Sequence, residues 1–225
     1  MNSPKMEKAV QAWSQFCGTP SDHPLVLFLS KASRHHQYSP RSVVMNQGEN
    51  SASLCLIMSG VLRAVKYSAN GHEIWLSDLS AGHLVGELGC LTGTPRTSTV
   101  LAATDAETLE VSSGDFQTAL GEHSALGQVL ASQLSHRLSA TSEQLAELMS
   151  LPVPLRLHHE LARIGQSNAH DSELVMVDPQ ISVSDLAKRI HTSRETASRA
   201  LSALERRGIV RRTSEHLEVV VPDFV

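Results

Sequence analysis

The sequence predicts an α+β chain with two packed regions joined by one long helix. Three observations carry this: short β-prone runs crowd residues 42 to 111, a heptad seam runs through residues 124 to 150, and two short helical patterns meet at a turn between Asp185 and Gly208. The chain has 225 residues, 41% of them hydrophobic, which is enough for two cores and carries no signature of disorder.

A helical segment ending near Lys31 opens the chain. The β-prone runs follow at Ser42 to Met45, Leu54 to Met58, Val61 to Tyr67, Glu73 to Leu79, Thr97 to Ala103 and Glu107 to Val111. Turn residues separate them, and Asn70-Gly71 between two runs is a hairpin signal. Many short strands at this spacing predict an antiparallel barrel or roll. From Ser124 the pattern becomes helical, with Ala131, Leu134, Leu138, Thr141, Leu145 and Leu148 spaced 3-4-3-4-3. That is a coiled-coil seam, which predicts a parallel homodimer. Pro152 and Pro154 should end the helix and give a hinge, and helix resumes from Leu155 to Ile164. The expected segments are 1–123, 124–150 and 151–225.

In the last segment Leu186, Ala187 and Ile190 mark one helix, and Ser193 is a suitable N-cap for a second. At about 100° per residue, Arg194, Glu195, Ser198 and Arg199 share one arc of that second helix. Ala197, Ala200, Leu201 and Leu204 occupy the opposite face. This is the pattern of a helix-turn-helix, whose second helix enters the major groove of double-stranded DNA. Arginine can bond guanine and a carboxylate can accept from cytosine, so Arg194, Glu195 and Arg199 form a reading set. The plainer alternative is a solvated face with a Glu195–Arg199 pair. Charge favours DNA: residues 181–214 hold eight Lys or Arg against three acids, a net of plus five, in a chain whose formal net charge is −4.

A second candidate site is Gly86-Glu87-Leu88-Gly89 with Pro95-Arg96-Thr97-Ser98. One carboxylate, exposed backbone N–H groups and an Arg-Thr pair could hold a ribose hydroxyl and a singly charged phosphate, as in a cyclic nucleotide; a turn with a surface ion pair has the same residues. Cys17, Cys55 and Cys90 are scattered, which excludes a disulfide framework and a four-cysteine cluster. The adjacent histidines among the twelve diverge in direction, so no metal is expected. No catalytic constellation, signal peptide or membrane span is legible, which predicts a cytoplasmic protein that is not an enzyme.

Gly48, Leu54-x-x-Ile57-x-x-Gly60, Gly86-Glu87-Leu88-Gly89, Arg96-Thr97, Thr141-Ser142-Glu143 and Ser193-Arg194-Glu195-Thr196-x-x-Arg199, in this order, make the chain similar to the CRP/FNR family of bacterial transcription regulators. The resemblance implies an N-terminal cyclic-nucleotide-binding β-roll (a double-stranded β-helix or jelly roll), a long dimerisation helix and a C-terminal winged helix-turn-helix. It implies that Glu87 accepts the ribose hydroxyl, with Gly86 and Leu88 shaping the loop, and that Arg96 and Thr97 take the cyclic phosphate. Thr141 would meet the purine from its own subunit and Ser142 from the partner's. The ligand implied is cyclic AMP, with cyclic GMP as the alternative. The DNA contacts implied are Ser182, Ser193, Arg194, Glu195, Thr196 and Arg199, with Arg211 and Arg212 beside a wing over 210–221; RNA polymerase is the further partner. The chain departs from the family pattern in four places. The Glu87 to Arg96 interval is one residue short of that in cyclic-AMP-binding members, Thr97 stands where those usually have serine, Val183 replaces a basic residue, and His191 stands where the helix-turn-helix bend usually has glycine.

Overall fold

In the computed structural model the described residues are 4–71, 73–166, 174–177, 181–213 and 216–220. They fall into two compact units, Met1–Leu138 and Ser139–Val225.

The first unit begins with two helices, α1 (Pro4–Cys17) and α2 (Pro24–Ala32), where the sequence suggested one segment. Gly18 at φ 62° and Pro20 stand between them, and the His23 ring caps α2 at Leu25 N. Eight strands follow: β1 (Arg34–Tyr38), β2 (Val43–Met45), β3 (Ser53–Ser59), β4 (Val61–Tyr67), β5 (Glu73–Ser80), β6 (Leu84–Val85), β7 (Thr99–Ala102) and β8 (Ala106–Ser112). They form two antiparallel four-stranded sheets, ordered β1-β8-β3-β6 and β2-β7-β4-β5. All six expected runs are strands, β7 being shorter than its run, and the hairpin at Asn70-Gly71 joins β4 to β5. Between β6 and β7 lies a short helix, α3 (Glu87–Thr92).

Two apolar clusters fill the unit. Met45, Ile57, Leu62, Val85 and Val100 pack between strands of the two sheets. Trp13, Leu25, Leu29, Leu54, Leu109 and Phe116 join the N-terminal helices to the roll, to α4 (Ser113–Glu122) and to the start of α5 (Ser124–Ser150). Trp13 is fully buried, and its indole N–H donates to Ser33 Oγ at 2.8 Å, so no polar atom is stranded. Leu126 and Leu130 bury the first turns of α5, whereas Leu138 is 69% exposed.

The tight β3–β4 connection depends on Gly60. Its φ is 79°, and a Cβ there would collide with the carbonyl of Asp105.

The second unit carries the rest of α5, then α6 (Val153–Gln166), β9 (Leu174–Val177), α7 (Val183–Arg189), α8 (Arg194–Arg206), β10 (Val210–Arg212) and β11 (Leu217–Val220). Only Leu151 and Pro152 interrupt the helices. Pro154 lies in the first turn of α6, where a missing N–H removes no helical bond. The sheet order β10-β11-β9 makes the expected wing; Val221 lies outside the described residues. β9 was not legible in the sequence, having only four residues. Leu157, Leu161, Leu186, Ala197, Leu201, Leu204, Val210 and Val219 form the core.

A buried carboxylate ties these helices together. Glu160 of α6 accepts from Arg189 of α7 at 3.0 Å and from Arg163 of its own helix, while Arg163 also reaches Glu147 at the end of α5, at 3.1 Å. A carboxylate this deep is tolerated because both oxygens are engaged by guanidinium groups.

The α7–α8 turn is made by His191 at φ 51°, the left-handed conformation expected for the position where the family pattern has glycine. His191 shares the wall of a small cavity with Arg156 and Glu160. Its imidazole is held below the ordinary value by burial and then by Arg156, with Glu160 opposing.

Two outcomes follow for stability. Gly60→Ala should cost the first unit about 2 to 4 kcal/mol, from overpacking and left-handed strain together; urea unfolding read by fluorescence of Trp13 and Trp75, both in that unit, checks it. His191→Gly should stabilise the second unit at pH 7.5 by about 1 kcal/mol, since glycine has no left-handed penalty. Because the folded state disfavours the imidazolium, the wild-type unit should lose stability as the pH falls through 6.5, the ordinary imidazole value, toward the lowered folded one. His191→Gly should lack that loss, as read by hydrogen exchange of α7 and α8 amides at pH 7.5 and 5.5.

Candidate ligand and nucleic-acid sites

In the first unit β6 ends at Val85, Gly86 takes φ 81°, and α3 begins at Glu87. A side chain at Gly86 would strike the Arg96 guanidinium and, at 2.8 Å, Met45 Sδ, so this glycine is what lets Arg96 lie against the backbone. Arg96 is 8% exposed. Its Nη1 donates to Gly86 O at 2.9 Å and its Nη2 to Ser53 O at 2.5 Å. No carboxylate lies within ion-pair distance of it among the described residues. The structure thus brings Gly86, Glu87 and Arg96 together despite the shortened interval. Leu88 projects outward at 45% exposure, and Thr97 is exposed on the same loop.

Glu87 is 3% exposed and paired with a residue that the sequence reading did not select. Arg137 of α5 donates to Glu87 Oε1 at 2.7 Å and also to Leu84 O. Burial raises the carboxyl above its ordinary value, and Arg137 is the main influence opposing that rise. Arg137 lies 50 residues from Glu87. A signal was present in that it is the only Lys or Arg of the long helix, yet nothing local says what it faces.

Thr141 and Ser142 belong to the second unit, where both are exposed on α5. The seam residues Leu145 and Leu148 beside them are 55% and 41% exposed.

In α8 the buried face is Ala197, Ala200, Leu201 and Leu204, as the helical spacing predicts. Arg194, Glu195 and Arg199 are exposed. Arg199 turns to Thr196 Oγ1 at 3.3 Å and makes no ion pair with Glu195, so the plainer account of this face, a Glu195–Arg199 bridge, is not what forms. Glu195 is held below the ordinary carboxylate range by a backbone hydrogen bond and by Ser193. Ser182 and Ser193 cap α7 and α8, accepting from Asp185 N and Thr196 N. On the wing Arg211 is largely exposed, 3.8 Å from Glu218, while Arg212 leans 3.3 Å from Glu205 of α8.

No group of histidine, cysteine or acidic residues that could hold a metal occurs among the described residues, and no described helix is long and apolar enough to cross a membrane.

Comparison with known proteins agrees with this division. Residues 35–123 match the model of the cyclic nucleotide-binding domain and residues 155–224 that of the Crp-like helix-turn-helix domain. The cAMP-activated global transcriptional regulator CRP of Salmonella typhimurium is 27% identical over 205 residues, covering 91% of this chain and 96% of that protein. The CRP-like cAMP-activated regulator of Mycobacterium tuberculosis is 25% identical over 169 residues, 75% of each chain. Among solved structures, the c-di-GMP responsive regulator CLP of Xanthomonas campestris superposes with a TM-score of 0.74 at 24% identity, covering 87% of this chain and 96% of its own. FixK2 of Bradyrhizobium japonicum gives 0.70 at 18%, covering 84% and 93%. These two share the fold. The relatives are transcription regulators, not enzymes, and with both domains matched in order the chain belongs to the CRP/FNR family as a DNA-binding transcription regulator with a cyclic nucleotide-binding domain.

Proposed function

We propose that this regulator binds a cyclic nucleotide, cyclic AMP in preference to cyclic GMP, and responds by binding a palindromic operator with TGTGA-like halves. The observation that carries the reading is Arg96. An arginine cannot shed its proton to escape burial, and this one has the carbonyls of Gly86 and Ser53 and the Ser53 hydroxyl as neutral acceptors and no carboxylate within ion-pair distance among the described residues, which favours an added anion such as a cyclic phosphate. Gly86, Glu87 and Leu88 form the ribose side, and Thr97 completes the phosphate side. Thr141 and the partner's Ser142 meet the purine; their hydroxyls donate or accept equally well, which is why cyclic GMP stays the alternative. That the CRP relatives are described as cAMP-activated supports the first choice.

The functional segments are 1–123 for ligand, 124–150 for dimerisation and 151–225 for DNA. The protein acts in the cytoplasm as a homodimer, with RNA polymerase as a further partner. Exposure of Leu138, Leu145 and Leu148 supports the dimer, since a seam this apolar is stable in water only when covered. Arg194, Glu195 and Arg199 read bases, while Ser182, Ser193, Thr196, Arg211 and Arg212 hold the backbone. A ligand-independent regulator is the second reading, favoured by the pairing of Glu87 with Arg137.

Calorimetric titration with cyclic AMP and cyclic GMP, with and without operator DNA, decides between these. Arg96→Ala should weaken cyclic AMP binding by about 1.5 to 3 kcal/mol, the scale of a charged hydrogen bond, and operator should raise ligand affinity by the factor by which ligand raises operator affinity. Undiminished affinity in the variant would remove the phosphate assignment, and operator binding indifferent to saturating ligand would leave the second reading. For the seam, Leu138→Glu with Leu145→Glu should convert the dimer to monomers in sedimentation velocity; a wild-type protein of one-chain mass at micromolar concentration contradicts the dimer.

A further inference from the structure

A row of polar side chains crosses the first sheet and ends at Arg96. In the register of β1, β8 and β3, His36 faces Thr108 and Cys55 faces Glu110. Side chains alternate between faces, so His36 on β1, Glu110 on β8 and Ser53 on β3 share one face, each a diagonal neighbour of the next. Ser53 Oγ donates to Glu110 Oε1 at 2.6 Å. The other carboxylate oxygen lies 2.9 Å from His36 Nε2, off the line of a hydrogen bond, so that contact is electrostatic. At the inner end Arg96 Nη2 reaches Ser53 Oγ at 3.5 Å as well as Ser53 O.

We propose that Ser53 and Glu110 are positioning residues for Arg96, a role that rests on reading Arg96 as the phosphate-binding residue. Glu110 accepts the hydrogen bond of the Ser53 hydroxyl, which turns an oxygen lone pair of Ser53 toward the guanidinium. It also places a negative charge one hydrogen bond away from a buried cation that has no carboxylate of its own. The guanidinium is thereby held in one rotamer before ligand arrives. Of its five N–H donors three are engaged in these contacts with Gly86 and Ser53, and two remain for an anion. Holding the donor in place removes an ordering cost that ligand binding would otherwise meet.

Two arms test this on the full-length protein. Without nucleotide, rotation of the Arg96 guanidinium is followed in side-chain nitrogen NMR spectra, the signal being assigned by its loss in Arg96→Lys. Rotation should be slow in the wild type and in Ser53→Thr, which keeps the hydroxyl, and faster in Ser53→Ala and Glu110→Ala. With nucleotide, Ser53→Ala should weaken cyclic AMP about three- to tenfold, the span of one hydrogen bond. It should add little to the loss already present in Arg96→Ala. Unchanged rotation in both alanine variants, or a Ser53→Ala loss of equal size with and without Arg96, overturns the proposal. A wild type that takes up no cyclic nucleotide would overturn the ligand reading alone, because the rotation arm still decides whether Ser53 and Glu110 hold the guanidinium.

Discussion

A guanidinium that is buried keeps its charge, and the fold around it must supply acceptors or an anion. Arg96 shows how much of the roll answers to that requirement. The carbonyl of Gly86 is presented by the turn between β6 and α3, and only a residue without Cβ leaves room for the approach. The carbonyl of Ser53 comes from β3 and also accepts from the Cys90 thiol of α3, so sheet and helix converge on one oxygen. The backbone N–H of Arg96 donates to Glu49 O, and its carbonyl accepts from Gly48 N, which fixes the loop between β2 and β3 to the same point. Loop, sheet and short helix are therefore arranged about a single positive charge.

The long helix solves a different problem along its length. Its first turns lie on the roll through Leu126 and Leu130, and Gln133 donates to Gly82 O at 2.6 Å. Beyond Arg137 the helix continues with Leu138, Leu145 and Leu148 exposed. One helix thus serves two surfaces, an intramolecular one where the roll covers Leu126 and Leu130 and, one residue further round, an uncovered seam where a second copy is proposed. Thr141 falls within the uncovered stretch, the polar interruption in an otherwise apolar seam.

What the sequence disclosed followed from period and local chemistry. The α8 face, the long helix α5, the β4–β5 hairpin and the left-handed turn at His191 each depend on residues within a few positions of one another, and each is found. The missed features are of another kind. β6 has two residues and α3 six, too few for a period to show. β1 carries Arg34, His35, His36 and Gln37, an edge strand in which His35 and Gln37 hydrogen-bond to Glu107 and His36 lies beside Glu110 across the ladder, so it lacks the apolar signal of a strand. Arg137 required knowing that residues 50 apart meet. Local pattern locates elements; the partner of a buried charge is a property of the fold.

That partner bears on how the proposed site works. A ribose hydroxyl donates most strongly to an ionised carboxylate. Burial alone pushes Glu87 toward the neutral acid, and Arg137 is the main group that opposes this. The arginine therefore does more than fill a gap: it favours the form of Glu87 that can accept. It also occupies Oε1, so a ligand must either share the carboxylate or rearrange the pair, and the affinity is the difference between the two contacts rather than the worth of either. Because Arg137 is carried on α5, any such rearrangement acts on the helix that bears the seam, one residue before Leu138. On this reading the ligand and the long helix compete for, or share, a single carboxylate, which is the differential interaction that a ligand-driven shift between two states requires.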